Sequence, residues 1–198
     1  MGYYDHYATH SIDQPIVLLG PPWSGAVSSA AWIASITGIR FVDLDRLVEH
    51  RLGCSIPSLA SRALENTFRD LQLDILRQEL PKTPYGIFVT EDVGFWPTLK
   101  GLTQLSHYSL GISPSPEIHY RRFKNRKEDK TSHPFDERPW LADVPETFHG
   151  FCQWRDEMQG SSRVANHVLG VDTTEALTLG RSIVAHLTAQ GICSEAGV

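Results

Sequence analysis

Two glycines with four residues between them, Gly20 and Gly25, follow directly on the apolar run Ile16 to Leu19 and precede small residues able to open a helix. A strand that feeds a tight turn into a helix N-terminus is how a phosphate-binding loop is built, since free N–H groups and the helix dipole both favour an anion there. The side chains depart from that shape. A nucleotide loop needs lysine and then serine or threonine after its second glycine, the ammonium for the terminal phosphates and the hydroxyl for Mg²⁺. Here Ala26 and Val27 take those places, Ser28 follows one position late, and no lysine occurs before Lys82. The missing charge forfeits about 4 kcal/mol of attraction at intermediate dielectric. Trp23 adds bulk where the backbone has to wrap around phosphate. Gly20, Gly25, Ala26, Val27 and Ser28 therefore read as a degenerate nucleotide loop, preserved in shape and altered in chemistry.

A second candidate lies at Asp43 and Asp45, which close the short apolar run from Ile39 to Val42. Ligands sit at such strand ends in parallel sheets, although carboxylates there also stabilise a helix start by under about 1 kcal/mol. The nine histidines are scattered without an H-E-x-x-H pattern, and Cys54, Cys152 and Cys193 lack C-x-x-C spacing, so no metal site and no disulfide framework is expected. The basic cluster Arg121, Arg122, Lys124, Arg126 and Lys127 reads as the solvated face of one helix.

The elements that must position these residues follow from periodicity. Buried strands are expected over residues 16–19, 39–42, 86–91, 108–112 and 164–171. Helices are expected over 25–37, 45–52, 56–63, 64–80, 97–105, 115–126, 148–158 and 174–190, with serine and threonine caps at Ser115 and at Thr173 or Thr174. Alternating strands and helices indicate an α/β domain with a parallel sheet. Residues 1–14 read as a loose arm, 15–192 as one domain with a mobile polar lid at 127–144, and 193–198 as a tail. With 18 basic against 23 acidic residues, the chain announces no nucleic-acid surface, and no apolar run is long enough to span a membrane. Well-separated cysteines fit an intracellular protein of the nucleus or cytoplasm.

Taken together, Phe41 to Leu59, Phe68 to Leu80 and Glu137 to Leu141 resemble shikimate kinase in order and spacing, most closely the kinase domain of the fungal pentafunctional aromatic-biosynthesis protein. The resemblance covers about residues 16–190. It implies a P-loop NTPase or nucleoside-monophosphate-kinase-like three-layer sandwich around a central five-stranded parallel sheet. It further implies that Asp43 corresponds to the aspartate that places Mg²⁺ and Asp45 to the one that binds shikimate hydroxyls. Arg69, the lid arginine Arg138 and the late arginine Arg155 correspond to groups at the substrate carboxylate or the lid. Where the family has a glycine triplet after its third strand, this chain has Glu91, Asp92 and Val93.

These departures make the pattern similar to the quinate repressor proteins of filamentous fungi. That likeness implies a non-catalytic domain without a cofactor, excised from a longer protein. Such a domain restrains a zinc-cluster transcription activator and senses a shikimate- or quinate-like acid through Asp45, Arg69, Arg138 and Arg155. The alternatives are an active ATP-dependent kinase that draws an unusual cation such as Arg138 to its loop, with Asp43 at the metal, or a purely structural domain with a vestigial pocket.

Overall fold

The computed structural model describes residues 10–56, 65–91, 108–125, 141, 143–158 and 165–195. Along them run β1 (His10–Ile12), β2 (Ile16–Leu19), α1 (Ala26–Thr37), β3 (Arg40–Asp43), α2 (Leu44–Leu52), α3 (Glu65–Glu79), β4 (Gly86–Thr90), β5 (Tyr108–Pro114), α4 (Pro116–Asn125), α5 (Phe148–Met158), β6 (His167–Val171), α6 (Ala176–Ala189) and β7 (Cys193–Glu195). Successive side chains of a strand face opposite sides, so a strand between two helix layers must be apolar throughout. In β2, Ile16 and Leu18 enter one core with α1 and α6, while Val17 and Leu19 enter a second with α2 and α3. In β4, Ile87 and Val89 share the first core and Phe88 the second. Five parallel strands in the order β3-β4-β2-β5-β6 form the central sheet, as the sequence pattern and the family resemblance both anticipate.

Local signals set the element ends. Gly38 and Gly53 adopt left-handed backbones that close α1 and α2, and the Asp43 side chain caps α2. The threonine expected to cap α6 does not do so directly: Glu175 stands at the cap, and Thr173 Oγ1 accepts its N–H at 3.2 Å. Ser115 Oγ turns instead to Asp172 at 3.1 Å.

The two chain ends depart from expectation. Residues 10–12, read as part of a loose arm, and 193–195, read as tail, pair antiparallel, with Ile12 opposite Cys193. Alternation over three residues is too short to register as a strand pattern, yet Ile12 and Cys193 are both buried in the first core. Most of the expected 56–63 helix, the 97–105 helix and nearly all of the 127–144 lid lie outside the described residues.

Ile12→Ala tests whether this ribbon belongs to the packed body. Removing a buried isoleucine side chain costs about 2–5 kcal/mol, so urea unfolding is expected to show a loss in that range. A loss below about 0.5 kcal/mol, the scale of a surface substitution, would place the ribbon outside the cooperative unit.

Candidate active site

The chain leaves β2 for β3 and β4 on one side of it and later adds β5 and β6 on the other. The loop after β2 thus lies where the strand order reverses, the position at which open α/β sheets bind ligands. In that loop Gly25 adopts φ 83°, and a side chain there would collide with the Arg122 guanidinium. Only glycine meets both demands. Trp23 adopts φ 63°, a conformation costly for an L-residue. Its ring turns away from the loop to pack on Phe123 (centroids 4.9 Å) and Trp154 (5.8 Å), in a third cluster with Phe151, Leu141 and Val144. Burial in that cluster offsets the backbone strain, and the bulk expected to crowd the phosphate position stands elsewhere.

Glu91 occupies the loop instead. Its Oε1 accepts the Val27 N–H at 3.1 Å and the Ser24 hydroxyl at 3.3 Å, and Ser24 Oγ in turn accepts the Ala26 N–H at 3.3 Å. Glu91 is only 3% exposed. Burial pushes its carboxyl above the ordinary range, opposed by the Val27 N–H, the Arg122 charge and the Ser24 hydroxyl. Ser28 Oγ bonds back to the Gly25 carbonyl at 3.2 Å. Helix α4 clamps the loop from outside. The Arg122 guanidinium donates to the carbonyls of Ser24 and Thr173, and His119 Nε2–H donates to the Pro22 carbonyl at 2.7 Å. Arg122 is therefore no solvated helix face: its charge lies against the loop whose own sequence lacks a cation. Burial, with the Arg155 and Arg122 charges, holds His119 down to about 4.

The paired carboxylates meet at the end of β3. Asp43 Oδ1 accepts the N–H groups of Asp45 (3.0 Å) and Arg46 (3.4 Å). Burial and the Asp45 charge nevertheless push Asp43 up to about 7. Asp45 is 1% exposed and accepts a hydrogen bond from Gln72 Nε2, which also donates to Thr90 Oγ1 at 3.3 Å. Because Thr90 precedes Glu91 and its carbonyl accepts the Gly20 N–H at 3.2 Å, one chain of contacts joins the carboxylate pair to the loop. Among the described residues no three His, Cys, Asp or Glu side chains are grouped to hold a metal ion.

Of the other expected ligand residues, only the Arg155 side chain is described. Arg155 is buried, donating from Nη2 to the Pro114 carbonyl at 2.8 Å and from Nη1 to Asp156 at 3.4 Å, so these contacts lie at the end of β5. The backbone of Arg69 lies in α3, its side chain outside the description, and Arg138 lies outside the described residues. Gln72 and the inward turns of Glu91, Arg122 and His119 escaped the sequence reading. Gln72 sits three residues after Arg69 on one helix, a spacing that could have flagged it.

Comparison with known proteins agrees with this geometry. The family model of shikimate kinase matches residues 24–187. The shikimate kinase of Synechococcus sp. (strain RCC307) is 35% identical over 63 residues, and that of Nitrosococcus oceani 38% identical over 63. Each aligned stretch covers 32% of this chain and only 32% or 33% of the relative. Among solved structures, the shikimate kinase of Bacteroides thetaiotaomicron superposes with a TM-score of 0.69 at 16% identity, covering 88% of this chain and 98% of that one. The Acinetobacter baumannii enzyme in complex with shikimate gives 0.64 at 20%, covering 89% and 94%. At such identities the superpositions establish the fold. The expectation of a non-catalytic, pseudokinase-like domain of a transcription repressor is overturned by these matches, which are to shikimate kinases themselves. The altered loop sequence stands in a framework that sets the Arg122 guanidinium of α4 against the loop. From the loop, the carboxylate pair, the sheet order and the extent of the family match, the chain belongs to the shikimate kinase family.

Proposed function

We propose that the protein is an ATP-dependent kinase of shikimate or a closely related polyhydroxy acid, working with a phosphate loop whose positive charge comes from α4. The observation that carries this is the buried chain of contacts from Asp45 through Gln72 and Thr90 to the loop at Gly20. It sets a carboxylate suited to an acceptor hydroxyl beside a turn suited to a phosphoryl donor. The Acinetobacter baumannii structure, solved with shikimate, supports the choice of substrate.

Each residue then has a task. Asp45, fixed by Gln72, accepts the hydrogen bond of the acceptor hydroxyl and receives its proton as the phosphoryl group arrives. The Arg122 guanidinium answers the donor's negative charge, and as a fork it both binds the loop carbonyls and faces the anion. The carboxylate oxygens of Asp43 and Asp45 are hard donors of the kind a divalent cation takes, and positive charge beside them would offset the burial and the Asp45 charge that together raise Asp43. Asp43 would hold a magnesium ion there, which would supply positive charge against the phosphates. Arg69 and Arg138 are assigned to the substrate carboxylate, which a planar guanidinium can hold by two parallel hydrogen bonds, and Arg155 to the end of β5. Within the family, the segments 41–59, 68–80 and 137–141 support a position near the kinase domain of the fungal pentafunctional protein.

A coupled assay of ADP release with ATP, Mg²⁺ and shikimate is expected to show shikimate-dependent turnover. Asp45→Asn should lower kcat about 100-fold or more, and Arg122→Ala about tenfold or more. A folded chain with no shikimate-dependent turnover would contradict the proposal.

The carboxylate pair also sets a pH signature. Asp43, raised from 3.8 to about 7, binds its proton more tightly when folded, so its contribution to stability is full below pH 4 and lost as pH rises through about 7. His119, lowered from 6.5 to about 4, runs the other way, contributing fully above 6.5 and losing that as pH falls through about 4. Asp43→Asn isolates the first effect while keeping a good helix cap. Relative to the parent, it should be more stable at pH 8 than at pH 4.5 by about 1 kcal/mol or more in urea unfolding. An equal difference at the two pH values would contradict the assignment.

A further inference from the structure

We propose that Glu91 is the residue that sets donor affinity, an internal anion lodged in the phosphate loop that the donor must displace in order to bind. The inference rests on the reading of this loop as the donor site and adds an occupant that the loop sequence does not announce.

The geometry is that of a bound anion. A carboxylate oxygen lies on the Val27 N–H at 3.1 Å, in the first turn of a 12-residue helix, and on the Ser24 hydroxyl at 3.3 Å. That hydroxyl is oriented by the Ala26 N–H, so it is placed to give its proton outward to the carboxylate. The Arg122 guanidinium lies over Gly25 and adds the counter-charge, which with the Val27 N–H opposes the upward push of burial on the Glu91 carboxyl. A phosphate oxygen calls for the same set of N–H, hydroxyl and guanidinium. Two anions cannot share it: like charges a few ångströms apart in a buried site repel strongly.

Glu91 also reaches the loop from a fixed base. It follows Thr90, the last residue of β4, whose carbonyl is bonded to Gly20 and whose hydroxyl is bonded to Gln72. The strand end therefore delivers the carboxylate without a long excursion of the chain. Where the resemblance implies a glycine, which has no side chain to offer, this chain has built the competitor in directly after the strand. Apparent donor affinity is then the intrinsic affinity reduced by the fraction of molecules in which Glu91 has left the loop.

The test is calorimetric titration of the whole chain with sodium tripolyphosphate, and separately with shikimate. Glu91→Gln, which keeps the shape and removes the charge, is expected to tighten tripolyphosphate binding about tenfold or more and to leave shikimate affinity within about twofold. Should that variant fail to fold, Glu91→Ala removes the competing carboxylate while leaving the Val27 N–H, the Ser24 hydroxyl and Arg122 in place, and is likewise expected to tighten binding about tenfold or more. Tripolyphosphate affinity unchanged within about twofold in the folded variant overturns the proposal. The kinase reading fails separately. A chain whose tripolyphosphate affinity responds to Glu91→Gln but which transfers no phosphoryl group to shikimate sinks that reading and leaves Glu91 in its role. Transfer with a donor KM indifferent to the substitution sinks the role of Glu91 alone.

Discussion

A strand buried on both faces can do chemistry only at its ends. Ile16 to Leu19 are at most 2% exposed, sealed between two helix layers, so the chain meets polar demands where β2 stops and α1 has not yet begun. At that point the N–H groups of the first helical turn have no helical partner. Something with negative charge has to answer them or water must enter. In this protein the answer comes from the neighbouring strand, through Glu91, and much of the surrounding polar architecture follows from that placement.

Ionisable groups are costly to bury, and this molecule buries several within a small region: Asp43, Asp45, Glu91, His119 and Arg155 are each no more than 7% exposed. Each is matched by a specific partner. Asp43 caps a helix, Asp45 holds Gln72, Glu91 sits on Val27 and Ser24, His119 holds the Pro22 carbonyl and Arg155 the Pro114 carbonyl. A core built only for stability replaces such groups with apolar ones. Their concentration at the carboxyl ends of β3, β4 and β5 is the pattern expected of a functional site that accepts a stability cost.

The sheet was legible because its signal is repeated: β2 and β4 are short apolar runs buried along their whole length, strand and helix patterns alternate along the chain, and the order of shared segments gave the family. The Gly20–Gly25 loop and the Asp43–Asp45 pair were legible for a similar reason, since their spacing is local. What escaped reading depends on side-chain direction across long separations. Arg122 lies 98 positions from Ser24 and Glu91 lies 64 from Val27. A basic helix looks solvated until the packing of Phe123 and Ile118 fixes which face turns inward. Trp23 looked obstructive because bulk is visible in a sequence and rotation is not. The ribbon of β1 and β7 was missed because three-residue strands carry too little alternation to stand out.

The most direct measurement is a crystal structure with ADP and magnesium. A phosphate oxygen is expected on the Val27 N–H, faced by Arg122, with the Glu91 carboxylate withdrawn from that hydrogen bond. Density for the nucleotide in the loop while Glu91 still holds Val27 would contradict it, as would a nucleotide seated away from α1 altogether.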